Sequence, residues 1–197
     1  MNEKTKKVIE EEEILSGSFK IFTKTTSRQH DIYLDDDIPD ESANYSELLH
    51  FLNDSADPPD TVNLHLSNTG GSIRVGLRLC QAMKNSKASI VVHAEADCYS
   101  MGSIIALSGD ALILYPGSFL MFHNYSIWHG GKGGESHTAS TEYQKQFLSI
   151  MTDFCYPFLS KVEINRLAED KDFYVHPKDA DLKVRLKRHF KRMEIKQ

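Results

Sequence analysis

Short apolar bursts recur along the chain, and most lead into a stretch whose apolar positions recur at helical spacing. Ile32, Tyr33 and Leu34 predict a strand that Asp35, Asp36, Asp37 and Pro39 end. Tyr45, Leu48, Leu49 and Leu52 stand at i, i+3, i+4 and i+7, so a helix is expected over about 41–53, with Asp40 or Ser42 as its cap. Asp57-Pro58-Pro59-Asp60 reads as a turn before a strand at 62–66. That strand runs into Asn68-Thr69-Gly70-Gly71, after which Ile73, Leu77, Cys80 and Met83 mark a helix. The next strand is expected at 89–93, then a break, then a short buried helix at 100–108. Strands follow at 111–115 and 119–122. Gly130, Gly131, Gly133 and Gly134 suggest an open loop or irregular strand. From about residue 140, Tyr143, Phe147, Ile150, Met151 and Phe154 predict a strong helix that Pro157 ends or kinks, and a further helix is expected at about 162–169. Strand, small-residue turn and helix thus alternate. The class is α/β with a mostly parallel sheet and right-handed crossovers, which gathers turn N–H groups and helix N-termini along one sheet edge.

Composition narrows the function. With 197 residues, 40% hydrophobic and 26% charged, the chain is expected to form one globular domain, with no apolar run long enough to span a membrane. The charged N-terminus lacks the apolar region of a signal peptide. Three cysteines (Cys80, Cys98, Cys155) without C-x-x-C spacing read as reduced, buried thiols, and the expected location is cytoplasmic. The net charge is −5, yet residues 181–197 carry seven Lys or Arg against two acids, leaving a body of −10. An acidic body disfavours nucleic acid as a partner. Leu182, Leu186, Phe190 and Met193 make the basic tail a solvated helix face. Three segments are expected: an extended or loosely ordered arm over 1–27, a domain over 28–180 and the basic tail over 181–197.

Two strand-to-helix turns are candidates for chemistry. Paired glycines at Gly70 and Gly71 permit a sharp turn and close approach to a ligand, and the Gly71 N–H could face a developing oxyanion. Ser100, within Cys98-Tyr99-Ser100-Met101-Gly102, sits between a buried strand and an apolar helix. It lacks the first glycine of the G-x-S-x-G elbow, and its local sequence alone favours a plain N-cap. His123 ends an apolar strand and is the best-placed base among nine histidines. Asp170 and Asp172 lie together in a polar loop, and spacing does not choose between them. The spacings of His123, His129 and His137 fit no zinc signature, Asp35-Asp36-Asp37 is no calcium loop, and no G-K-[ST] marks a P-loop. No metal or cofactor is expected.

Together these motifs resemble one family, the proteolytic subunit of Clp-type proteases, over about Ile32 to Ala180. Val62–Gly71 is similar to its strand and Asn-Ser-Pro-Gly-Gly turn. Ala96 to Gly102 resembles its Ala-Ala-Ser-Met-Gly nucleophile segment. Phe119 to His123 resembles its Met-Ile-His segment, Gly130 to Gly134 its glycine-rich substrate strand, and Asp172 to Ala180 its Asp-x-Phe-Met-Ser-Ala-x-x-Ala segment. The resemblance implies a ClpP/crotonase-like fold with a protruding handle helix. It also implies a Ser-His-Asp endopeptidase with Ser100 as nucleophile, His123 as base and Asp172 as orienting acid. Gly71 and Met101 N–H groups would form the oxyanion hole. Gly70, Gly130, Gly131, Gly133 and Gly134 would hold an extended, unfolded substrate. Stacked homo-oligomeric rings, heptameric by resemblance, and an unfoldase ATPase of the AAA+ class would be the partners. The apolar circumference of the handle helix fits ring-to-ring packing.

Four departures stand out. Asn68-Thr69 replaces Ser-Pro, Tyr99 replaces a small residue, Asn124 follows His123 in place of Gln-Pro, and the family's Tyr-Gly-Leu-Ile-Asp ending is missing after Ala180. They motivate an inactive ring subunit, or a dedicated processing protease such as a viral one without an ATPase, as alternatives. A crotonase-type acyl-CoA enzyme lacks its paired carboxylates here. A Ser-Lys peptidase would have to use Lys132.

Overall fold

The computed structural model describes residues 7–13, 21–40, 45–56, 58–126 and 132–196. Two strands, β1 (Lys7–Glu13) and β2 (Ile21–Ser27), pair antiparallel from Lys7 opposite Ser27 to Glu13 opposite Ile21. Within the extended or loosely ordered arm expected over 1–27, these two segments are thus extended and paired. The main sheet contains β3 (Gln29–Leu34), β4 (Thr61–Asn68), β5 (Ser89–Tyr99), β6 (Ala111–Leu114), β7 (Phe119–Phe122) and β8 (Phe173–Val175). Its order is β3-β4-β5-β7-β8, with β6 also paired to β5. All pairs are parallel except β7 with β8. This is the expected α/β architecture.

The helices are α1 (Ser46–His50), α2 (Ile73–Asn85), α3 (Met101–Ala106), α4 (Gly133–Ile150), α5 (Lys161–Leu167) and α6 (Leu182–Lys196). Single π-helical turns, Phe51–Ser55 and Met151–Cys155, extend α1 and α4. Among the described residues no helix is long and apolar enough to cross a membrane.

One sheet face makes the core. Val62, Leu64 and Leu66 of β4, Ile90 and Val92 of β5, and Leu120 and Phe122 of β7 are buried, as are Val75, Leu79, Cys80 and Met83 of α2. Burial pushes the Cys80 and Cys98 thiols up to about 12, so they are inert packing groups. The opposite face carries a ring ladder. Tyr33 stacks on His65 at 4.5 Å, and His65 on His93 at 5.0 Å. Burial alone would lower the His65 pKa, but hydrogen bonds to Glu95 (2.7 Å) and Asp31 (3.3 Å) raise it.

Three boundaries differ from expectation, each for a physical reason. β5 runs to Tyr99 rather than stopping at His93, because Glu95 and Asp97 lie on the more open face while Ala94 and Cys98 remain buried. The polar residues Glu95 and Asp97 mimic a break in the sequence pattern. The first helix is shorter than expected, Tyr45 occupies its N-cap, and no side chain caps it, so Asp40 does not; Ser42 lies outside the described residues. The handle helix α4 starts at Gly133, so Gly133 and Gly134 form its first turn and not a strand. Gly130 and Gly131 lie outside the described residues.

α6 is anchored as well as solvated. Arg185 makes a bidentate pair with Glu163 at 2.8 and 3.0 Å and donates to the Phe158 carbonyl at 3.0 Å. Glu163 also closes the capping box of α5 by accepting the Ser160 N–H at 2.7 Å. Burial would raise its carboxyl, but Arg185 and Ser160 outweigh that and hold it at about 2. A carboxyl depressed from 4.5 stabilises the fold above pH 4.5, and that contribution fades as pH falls toward 2. Glu163→Gln is therefore expected to cost about 2 kcal/mol at pH 7. In denaturant melts the gap to wild type should narrow steadily below pH 4.5. An equal gap at pH 7 and pH 3 would contradict this account.

Candidate active site

The site begins where β5 gives way to α3. A single residue, Ser100, makes the turn, with φ 54° and ψ −120°. A non-glycine residue with positive φ is uncommon and stores strain of order 1–3 kcal/mol, so its surroundings must hold it. The Ser100 N–H donates to the Met121 carbonyl of β7 at 2.8 Å, and its own carbonyl accepts the Ser103 N–H at 3.1 Å. The buried Ser103 hydroxyl donates to the Cys98 carbonyl at 2.6 Å and accepts the Met121 N–H at 3.1 Å. It therefore joins the last residues of β5 to β7 directly beneath Ser100. Sequence reasoning passed over Ser103; its signal was a hydroxyl in an otherwise apolar, wholly buried helix.

The glycine turn packs against this elbow. Gly70 has φ +107°, and a Cβ there would lie 2.8 Å from Ser100 Cβ and 3.2 Å from Met101 N. Gly71 has φ +121°, and its Cβ would meet the Ile38 carbonyl at 2.3 Å. Ile38 grips the turn from the other side, its N–H on Gly70 O at 2.7 Å and its carbonyl on Ser72 N–H at 2.9 Å. The departure at Asn68 is compensated. Its Oδ1 accepts the Gly70 N–H at 2.9 Å and its amide donates to the Asp36 carbonyl. A side chain does here what a proline's fixed φ would do. Among the described residues the N–H groups of Gly71 and Met101 have no protein acceptor, as befits helix-start and turn donors.

His123 leaves β7 half-buried, on the same strand end. Leu120, Met121 and Phe122 pair with Val175, Tyr174 and Phe173 of β8. One further step of that antiparallel register sets His123 opposite Asp172. Ser100, His123 and Asp172 thus come from three adjacent strand ends. Ser100 and His123 line one small cleft of about 40 Å³ with Met101, Phe122, Phe147 and Met151. Asp170 takes a different partner: it has φ 59° and accepts the Asn124 amide at 2.8 Å. Among the described residues no hydrogen bond joins Ser100, His123 and Asp172, and Asp172 is exposed. Such bonds are often long in an unliganded site and tighten on substrate. Tyr99 does not narrow the cleft. Its ring lies 5.0 Å from that of Phe119, on the sheet face away from buried Cys98 and Leu120.

The Clp protease family matches residues 16–181. The chain belongs to the Clp protease family. It is 23% identical over 156 residues to the ATP-dependent Clp protease proteolytic subunit of Deinococcus radiodurans, covering 76% of this chain and 74% of that one. Subunit 1 of the same protease from Gloeobacter violaceus is 26% identical over 157 residues, covering 76% and 77%. The chloroplastic subunit 3 of Arabidopsis thaliana is 32% identical over 117 residues, covering 57% and 37%. Membership at this low identity makes the chain a divergent member, consistent with its Asn68, Tyr99 and Asn124.

Ser103→Ala removes the buried hydroxyl that joins the Cys98 carbonyl of β5 to the Met121 N–H of β7. It should cost about 2 kcal/mol in equilibrium unfolding. A loss below a few tenths would show that Ser103 does not hold the elbow.

Proposed function

We propose that the chain is a serine endopeptidase, the proteolytic subunit of a Clp-type protease. The observation that carries this reading is the strained Ser100 elbow facing the same cleft as His123. In this mechanism His123 takes the Ser100 Oγ proton as the hydroxyl attacks the peptide carbonyl, then delivers it to the leaving amine. Water, deprotonated by the same imidazole, releases the acyl group. Asp172 orients the imidazole and stabilises its cation. The Gly71 and Met101 N–H groups receive the oxyanion, each donor being worth a factor of ~10²–10³. The cleft walls are apolar, which suits an apolar side chain before the cleaved bond.

The domain over 28–180 carries this chemistry, with 1–27 and 181–197 as arm and tail. The relatives' names include ATP-dependent, and we extend to this chain the reading that homo-oligomeric rings receive unfolded polypeptide from a partner ATPase. The lack, among the described residues, of a hydrogen bond joining Ser100, His123 and Asp172 fits a site that ring contacts complete.

Intact mass after fluorophosphonate treatment tests the nucleophile. One adduct on wild type and none on Ser100→Ala is expected, with peptidase activity falling by up to ~10⁶ in the variant. No adduct on an assembled ring would instead establish an inactive ring subunit. The acid is tested separately. Asp172→Asn should lower kcat by ~10⁴, as expected for loss of the tautomer-fixing acid. Asp170→Asn, whose partner is Asn124, should cost less than tenfold in the same assay, roughly 1 kcal/mol. The reverse order would reassign the acid.

A further inference from the structure

Away from the cleft, a row of rings crosses the open face of the sheet and is threaded by hydrogen bonds. Strand register sets Tyr33 of β3, His65 of β4 and His93 of β5 side by side. Their rings stack at 4.5 and 5.0 Å. Donors and acceptors fix the protonation of the two imidazoles. His65 Nδ1 meets Glu95 Oε1 at 2.7 Å, and its Nε2 meets Asp31 Oδ1 at 3.3 Å. Ionised carboxylates only accept, so both ring nitrogens donate and His65 is an imidazolium. Asn63 donates its amide to Asp31 at 2.9 Å, which leaves its Oδ1 to accept the His93 Nε2–H at 3.4 Å. His93 Nδ1 accepts the Tyr115 hydroxyl at 3.1 Å, so His93 is neutral. Burial and the adjacent His65 charge lower the His93 pKa, in line with that assignment. The titratable groups facing His65 are thus Asp31 and Tyr33 from β3 and His93 and Glu95 from β5, with Tyr115 one ring further. His30 points to the other face of β3 and meets Asp60 at 3.4 Å.

We propose that His65 is a proton-operated clamp on edge strand β3: the imidazolium ties β3 and β5 to β4 through its two N–H groups, and loss of one proton frees Asp31 and loosens β3. A neutral imidazole carries a single N–H. It keeps the shorter bond, to Glu95, and turns a lone pair toward Asp31. β3 ends the main sheet and is paired there with β4. The strand also leads to the glycine turn. Past its end, the Asp36 carbonyl accepts the Asn68 amide, and Ile38 bonds to Gly70 and Ser72. A looser β3 therefore loosens the grip on Gly70 and Gly71. Asp31 and Glu95 are 45% and 44% exposed, so the clamp is open to solvent protons. Burial lowers the His65 pKa, but the bonds to Glu95 and Asp31 outweigh it and raise the folded value above 6.5. The clamp is therefore complete below pH 6.5 and is lost as pH rises through that folded value. It operates whether or not the chain is a peptidase.

Hydrogen–deuterium exchange on the full-length chain tests the clamp. The readout is the protection factor of residues 29–38, corrected for the intrinsic rise of exchange with pH. In wild type it should fall by about threefold or more between pH 6.5 and pH 8.5, since each unit of pKa shift is worth about tenfold. His65→Gln keeps one donor but gains no charge, so it should start lower and show no further fall. His93→Gln, which leaves both carboxylates on His65, should retain the fall. A flat wild-type profile overturns the proposal, and so does an equal fall in folded His65→Gln. Should His65→Gln not fold, Glu95→Gln decides in its place. Removing one carboxylate should move the fall to lower pH, and an unmoved fall overturns the clamp.

Discussion

The structure depends on one backbone constraint, the turn of the chain at Ser100 with φ 54°. An eleven-residue strand must stop there and a buried helix must start, with one residue between them. An L-residue adopts that conformation only under restraint. The restraint is a set of short bonds to β7, in which Met121 offers its carbonyl to Ser100 and its N–H to Ser103. The same bonds that strain the serine also bring the end of β7, and with it His123, alongside. Strain and proximity therefore have a common origin.

The neighbouring turn follows from the same crowding. Gly70 lies so close to Ser100 that any side chain would collide with it, and Gly71 is pressed on its other side by Ile38. The N–H groups of Gly71 and Met101, on either side of this contact, have no protein acceptor among the described residues. Asn68 shows how the turn tolerates divergence. An Asx-type hydrogen bond from the Gly70 N–H to Asn68 Oδ1 restrains the turn where a proline would do so by fixing its own φ.

Electrostatics is divided between the sheet's two faces. The core face holds neutral thiols and aliphatic groups, while the other carries paired charges such as His65 between Asp31 and Glu95. The cleft beside Ser100 is lined mainly by apolar side chains, so a charge placed there is poorly screened. Asp172, at the margin and exposed, is the least constrained member of the constellation.

Much was legible in the chain because it is local. The alternation of Val62, Leu64 and Leu66, the helical spacing of Ile73, Leu77, Cys80 and Met83, and the order of the motifs around Gly70, Ser100, His123 and Asp172 are properties of consecutive residues. They determined the α/β class, most elements and the candidate residues. What escaped was non-local. The extension of β5 through Glu95 and Asp97 depends on which sheet face is left open, and the start of α4 at Gly133 overrides the loop preference of glycine. The placement of Asp172 across from His123 follows from the register of β8 against β7, and the seat of Tyr125 against α4 from its bond to the Ser140 carbonyl. Those are distances between segments far apart in the chain. Only packing sets them, because periodicity tells which face a residue takes and not what lies across from it.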